Sequence, residues 1–164
     1  MNMINLKVEK AFNEQIKKEL ESAYLYLAMA GYFDSMNLDG MAHWMKVQAK
    51  EEFEHAMKFY NHIIERGGKV EFYPLQLLSR NWNSPLDVFE HVYEHEQKVT
   101  ESINNLVELA KAENDYPAQV LLQWFVNEQV EEEANALKIV ETLKKVKDSP
   151  IGIIMLDREL ARRE

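Results

Sequence analysis

Apolar residues recur in steps of three and four along four long segments, and each stripe is interrupted by carboxylate, amide or imidazole. The first stripe runs Phe12, Ile16, Glu19, Ala23, Tyr26, Ala30, Phe33, and the second Met41, Trp44, Gln48, Glu52, His55, Phe59, Ile63. The third is Phe89, Val92, Glu96, Val99, Ile103, Leu106, Ala110, and the fourth Leu122, Phe125, Gln129, Glu132, Ala136, Ile139, Leu143. This period is that of an α-helix with one face turned to a core. A carboxylate at such a position costs several kcal/mol in an apolar medium unless something pairs with it. Glu19, Glu52, His55, Glu96, Gln129 and Glu132 together therefore point to a cation.

Turn signals divide the stripes. Asn37-Leu38-Asp39-Gly40 reads as a short turn, and Gly67-Gly68 as a helix C-terminus. From Gly68 to Asn83 the periodicity is lost, which predicts a long crossover. Ser84-Pro85 and Ser149-Pro150 each place a serine N-cap before a proline in the first helical position, and Asp115-Tyr116-Pro117 restarts the chain between the last two stripes. Lys144, Lys145 and Lys147 suit the carboxyl end of the fourth helix. The expected fold is all-α. It is a four-helix bundle over about residues 6–147, in helices of about 40 Å, with one long crossover and a short C-terminal helix over about 149–161. The chain, 1–164, reads as a single domain.

The spacing sharpens the cation reading. Glu19 lies 19 residues before a turn at Leu38, and Glu52 and His55 lie 14 and 17 after it. Glu96 lies 19 residues before a turn at Asp115, and Gln129 and Glu132 lie 14 and 17 after it. Equal offsets bring the polar residues of each antiparallel hairpin to one level. Packing the hairpins together then faces six ligand-type side chains into one volume.

Glu52 and His55 share a helix face at i and i+3. Glu-x-x-His with an inward glutamate from a neighbouring helix is the ligand set of di-iron and di-manganese carboxylate proteins. Carboxylates hold and bridge hard ions, and imidazole retains affinity for Fe(II). The expected arrangement is one metal on Glu19, Glu52 and His55, with Glu52 bridging, and a second on Glu52, Glu96 and Glu132. Gln129 stands where the other hairpin has its bridging Glu52, and its amide suits hydrogen bonding better than ligation. Glu51, Glu128 and Glu131 lie one position off the buried face, and with Glu132 could form a third, all-carboxylate site; such acidic runs are more often a solvated helix face. Tyr26, two turns from Glu19, is either a core aromatic with a satisfied hydroxyl or a donor to the site. Trp124 and the methionines Met29, Met36, Met41, Met45 and Met57 read as packing.

Cysteine is absent, which removes disulfides and thiolate metal sites. A formal charge of −9 argues against nucleic acid and favours cations. No apolar run approaches membrane-spanning length and MNMINLKVEKAFNEQ is no signal pattern, so a cytoplasmic protein with no membrane partner is expected.

Four stretches, NEQIKKELESAYLYLAMA, HWMKVQAKEEFEHAMKFYNHIIERGG, EHEQKVTESI and QWFVNEQVEEE, resemble the non-haem ferritins of bacteria and archaea, and the resemblance spans nearly the whole chain. It implies a ferritin-like bundle and an iron-storage protein. A ferroxidase centre would fall on Glu19, Glu52, His55, Glu96 and Gln129, with Tyr26 nearby, and an additional iron site on Glu51, Glu128, Glu131 and Glu132. It further implies two irons per subunit plus this third position, oxidation of Fe(II) by dioxygen or peroxide, and a homo-oligomeric cage of 24 subunits around a ferric mineral. Haem is not expected, because Phe53 replaces the haem-ligating methionine of bacterioferritins and the second Glu-x-x-His is missing. The alternative in the same fold is a di-metal carboxylate oxidase acting on a small organic substrate.

Overall fold

In the computed structural model, which describes residues 3–164, five helices follow one another: α1 (Leu6–Ser35), α2 (Asp39–Glu65), α3 (Pro85–Ala112), α4 (Tyr116–Val146) and α5 (Pro150–Leu160). α1 and α2 form one antiparallel hairpin and α3 and α4 the other, with α5 folded back against α2 and the end of α4. The described residues contain no strand, and no helix among them is long and apolar enough to cross a membrane.

The starts and stops follow local chemistry. Asn5 caps α1 by accepting from Lys7 N at 2.8 Å, Ser84 caps α3 from Asp87 N at 3.1 Å, Asp115 caps α4 from Ala118 N at 3.1 Å, and Ser149 caps α5 from Gly152 N at 3.2 Å. These bonds satisfy amides that a helix cannot pair internally. Asn37 and Asn114, at φ 58° and 52°, take the left-handed conformation that turns the chain sharply out of α1 and α3. The crossover between α2 and α3 is held by polar residues of α1. Asn13 Nδ2 donates to Lys69 O and its Oδ1 accepts from Glu71 N, and Glu21 accepts from Gln76 N at 2.9 Å.

Every residue of the four stripes is buried except Ala23, which is half-buried. Met29, Met41 and Met45 fill the core as expected, but Met36 lies exposed at the end of α1 and Met57 is half-buried. Neither stands at a stripe position, so the helix period rather than their apolarity decides their place. The apolar interior forms two clusters. One contains Phe12, Ile16, Phe59, Ile103 and Phe125, and the other Met29, Phe33, Met45, Phe89 and Leu143. The polar stripe residues lie between these clusters along every helix, so apolar side chains close off the polar layer above and below.

Candidate metal centre

Four helices supply this layer. Glu19 of α1, Glu52 and His55 of α2, Glu96 of α3, and Gln129 and Glu132 of α4 are all buried. Their ligand atoms assemble into three overlapping groups, within each of which the atoms lie no more than 4.8 Å apart: Glu19, Glu52 and His55; Glu52, Glu96 and Glu132; and His55, Glu128 and Glu132. Glu52 belongs to the first two groups, which is the geometry of a carboxylate shared between two positions. His55 Nδ1 stands 3.3 Å from Glu52 Oε2 and 3.7 Å from Glu19 Oε2.

The carboxylates are oriented by hydrogen bonds from neighbouring amide and phenol groups. Gln15 Nε2 donates to Glu19 Oε1 at 3.0 Å, Tyr26 donates its hydroxyl to Glu96 Oε1, and Gln129 Nε2 donates to Glu96 Oε2 at 3.1 Å. Gln48 Nε2 donates both to Glu52 Oε1 at 2.8 Å and to Glu132 Oε2 at 2.9 Å. Gln129 thus presents its nitrogen to Glu96 and acts as a donor. Among the buried side-chain oxygens and nitrogens of the described residues, only Glu19 Oε2 has no hydrogen-bond partner. A buried, unpartnered carboxylate oxygen is a costly feature that a bound cation relieves.

Burial and mutual repulsion set the charges. Burial pushes Glu52 well above the ordinary carboxylate range, with the Glu96 charge adding to it. Burial lifts Glu96 to about 7 against the pull of Tyr26 and Gln129, and burial with the Glu96 charge lifts Glu132 to about 8. Burial would raise Glu19 too, but the neighbouring His55, Glu52 and Gln15 hold it below its usual value. The same carboxylates overcome the effect of burial on His55 and raise it to about 11. Burial keeps the Tyr26 phenol protonated well beyond its usual range, so it remains a donor to Glu96.

The flank differs from the expected quartet. Glu128 comes within 3.9 Å of His55 Nε2, but Glu51 pairs with Arg163 at 2.8 Å and Glu131 faces solvent. Neither Glu51 nor Glu131 joins the three groups among the described residues. One helical step of about 100° separates Glu131 from the buried Glu132, and the Arg163 cation draws Glu51 toward the C-terminus. Trp124 packs edge-on over His55 at 5.3 Å, covered in turn by Lys58. Sequence reading passed over Gln15, Gln48 and Arg163. Gln48 carried a signal, since it is a polar residue in a stripe; Arg163 carried none.

A helical bundle with this crossover, holding four buried carboxylates and an imidazole at mid-length, is the architecture of the carboxylate-bridged metal proteins. The family described as "Ferritin-like domain" matches residues 9–146, and the chain belongs to it. It is 44% identical over 161 residues to the bacterial non-heme ferritin of Bacteroides fragilis, covering 98% of this chain and 100% of that protein. It is 40% identical to that of Campylobacter jejuni, covering 95% and 93% of the two chains. Among solved structures, an open pore ferritin from the hyperthermophilic archaeon Archaeoglobus fulgidus superposes with a TM-score of 0.97 at 50% identity, covering 98% of this chain and 99% of the other. Family and fold support an iron-storage role.

Proposed function

We propose that this chain is an iron-storage ferroxidase. It binds Fe(II) as substrate at the mid-bundle layer, oxidises it to Fe(III), and passes it to a ferric mineral inside a cage of 24 copies. The observation that carries this is the pair of three-residue groups sharing Glu52, with the orphaned Glu19 oxygen in one of them. Glu19, Glu52 and His55 would hold the first iron, and Glu52, Glu96 and Glu132 the second. Carboxylates favour Fe(III) over Fe(II) because hard oxygen donors suit the higher charge, so the site lowers the energy of the oxidised ions.

Each Fe(II) gives up one electron. Dioxygen taking two electrons and two protons becomes hydrogen peroxide, and peroxide taking two more of each becomes water. Gln129 and Tyr26 fix the orientation of Glu96 and supply donors at the edge of the layer. The protons that Glu96, Glu132 and His55 carry near neutral pH leave as iron enters, because ligands bind deprotonated. For the additional iron position, Glu128 and Glu132 beside His55 are the groups at hand; Glu51 and Glu131 would complete it only by moving.

Assembly is supported by apolar side chains left exposed on α1 and the crossover, among them Tyr24, Leu27, Phe72 and Leu77, which further copies would cover. A cytoplasmic setting fits this reading. The test is iron retained per chain in the size-fractionated particle after aerobic addition of excess Fe(II). Many ions per chain in a very large particle are expected. Retention that stops at two or three per chain in a small oligomer would favour a di-metal oxidase instead.

A further inference from the structure

The chain does not end where α5 ends. Beyond Leu160 it turns back onto α2, and the contact is tightly specified. Gly40 leaves room for the backbone of α5, since a Cβ there would lie 1.7 Å from Asp157 O. Asp157 Oδ1 accepts from Met41 N at 2.8 Å, and Arg163 O accepts from His43 Nε2 at 2.6 Å. The Arg163 guanidinium lies over the Trp44 ring, 4.3 Å from its centroid. It donates to Trp44 O at 3.2 Å, to Gln48 Oε1 at 2.8 Å and to Glu51 Oε2 at 2.8 Å.

Gln48 connects this clasp to the metal layer. Its side chain is buried, its oxygen is taken by Arg163, and its nitrogen donates to Glu52 and Glu132. A guanidinium has only donors, so it fixes which end of the amide faces it. With Arg163 in place, Gln48 must turn its two N–H groups to the carboxylates. Without it, the amide is free to flip and point a carbonyl oxygen at them, and Glu52 and Glu132 lose their shared donor. In the second hairpin the residue at the offset of Gln48 is Phe125, so this support is built once.

We propose that Arg163 is a positioning residue for the metal layer, acting through Gln48 to set the orientation of Glu52 and Glu132, so that docking of the C-terminal tail is part of forming a competent site. This rests on the reading of that layer as an iron centre. The same guanidinium holds Glu51 away from the layer, leaving Glu128 and Glu132 as the flank carboxylates beside His55.

The experiment uses the assembled, metal-free particle and Co(II), a redox-silent probe whose visible absorption reports its coordination. Wild type, Arg163→Ala, Gln48→Ala, the double variant and Arg162→Ala are titrated side by side. Arg163→Ala is expected to weaken Co(II) binding at the position formed by Glu52, Glu96 and Glu132 by about tenfold, the usual size of an outer-shell effect, and to change its absorption band. Gln48→Ala should do the same, and the double variant should be no worse than either single, because one pathway is being cut twice. Arg162→Ala should match wild type.

Additive losses, or an Arg163→Ala isotherm and band identical to wild type despite a lower melting temperature, would overturn the proposal and leave Arg163 as a structural clasp. If Arg163→Ala does not assemble, Arg163→Met decides, since it keeps the stem over Trp44 and removes every donor; unchanged Co(II) binding there overturns the proposal equally. A wild-type particle that takes up no Co(II) would sink the iron-centre reading and this one together. Normal wild-type uptake with unaffected variants would sink this one alone.

Discussion

Replacing Glu52 by glutamine keeps the volume and removes one carboxylate from the centre of the layer. When ionised, Glu52 has a Glu19 oxygen within 4.8 Å in one group and Glu96 and Glu132 oxygens within 4.8 Å in another. At an effective dielectric constant of about 20, each repulsion at that distance is roughly 3.5 kcal/mol, against an attraction of about 5 kcal/mol to His55 at 3.3 Å. Below neutrality the repulsions are largely silent, because Glu96 and Glu132 carry protons and burial disfavours the Glu52 charge. All three have folded-state values raised above the unfolded value of about 4.3. The folded chain therefore holds extra protons, and stability from this source is full below about pH 4.3 and lost as pH rises through about 7 for Glu96 and about 8 for Glu132.

Metal-free Glu52→Gln should accordingly match wild type near pH 4, where these carboxylates are protonated in the unfolded chain as well, and exceed it by roughly 1–3 kcal/mol at pH 9, after relaxation has absorbed part of the Coulomb energy. Saturating Zn(II) should reverse the order. At one hundred times Kd each site adds about 2.7 kcal/mol, and an amide cannot bridge two of them. The assay is denaturant unfolding followed by helix circular dichroism at both pH values, with and without Zn(II). A stability difference independent of pH, or equal stabilisation of both proteins by Zn(II), would refute the reasoning.

Three other outcomes are expected. Zn(II) binding at pH 7 should release about two or more protons per chain, and fewer near pH 9.5 where Glu96 and Glu132 have already lost theirs; an indicator dye in unbuffered solution reads this, and release below one at pH 7 contradicts it. Gly40→Ala should force α5 off α2 and cost roughly 2 kcal/mol despite better helix propensity, seen as faster hydrogen exchange confined to α5 and the start of α2; unaltered exchange there counts against the packing argument. Arg66→Met should strand Asp115, whose buried carboxylate accepts from Arg66 at 2.7 Å and 2.9 Å and also caps α4. A loss of about 3–5 kcal/mol is expected, and a shift in unfolding free energy under 1 kcal/mol would show the pair to be dispensable.

The helices, the crossover and the polar layer were legible in the chain because each is written in local periodicity. Helical stripes repeat in steps of three and four, caps and prolines mark the joints, and a carboxylate in a stripe is visible as an anomaly at one position. The predicted bundle of about 6–147 became helices from Leu6 to Val146, and the predicted terminal helix became Pro150–Leu160. Matching offsets from the two turns placed Glu19 level with Glu52 and His55, and Glu96 level with Gln129 and Glu132, before any coordinates were needed.

What periodicity does not encode is which polar groups hold these residues once they are inside. Glu51 and Glu131 looked equivalent in the chain; tertiary structure turned one toward Arg163 and left the other in solvent. Met36 and Met57 were apolar enough for the core but sat off its face. Arg163 meets Trp44, Gln48 and Glu51 across more than a hundred residues of chain, at a place fixed by how α5 docks over Gly40. The helices, and the level at which their polar residues meet, follow from interactions within a few turns and so are readable in the chain. The partners of each carboxylate are set by tertiary packing, because a hydrogen bond depends on distances of tenths of an ångström between segments far apart in the chain.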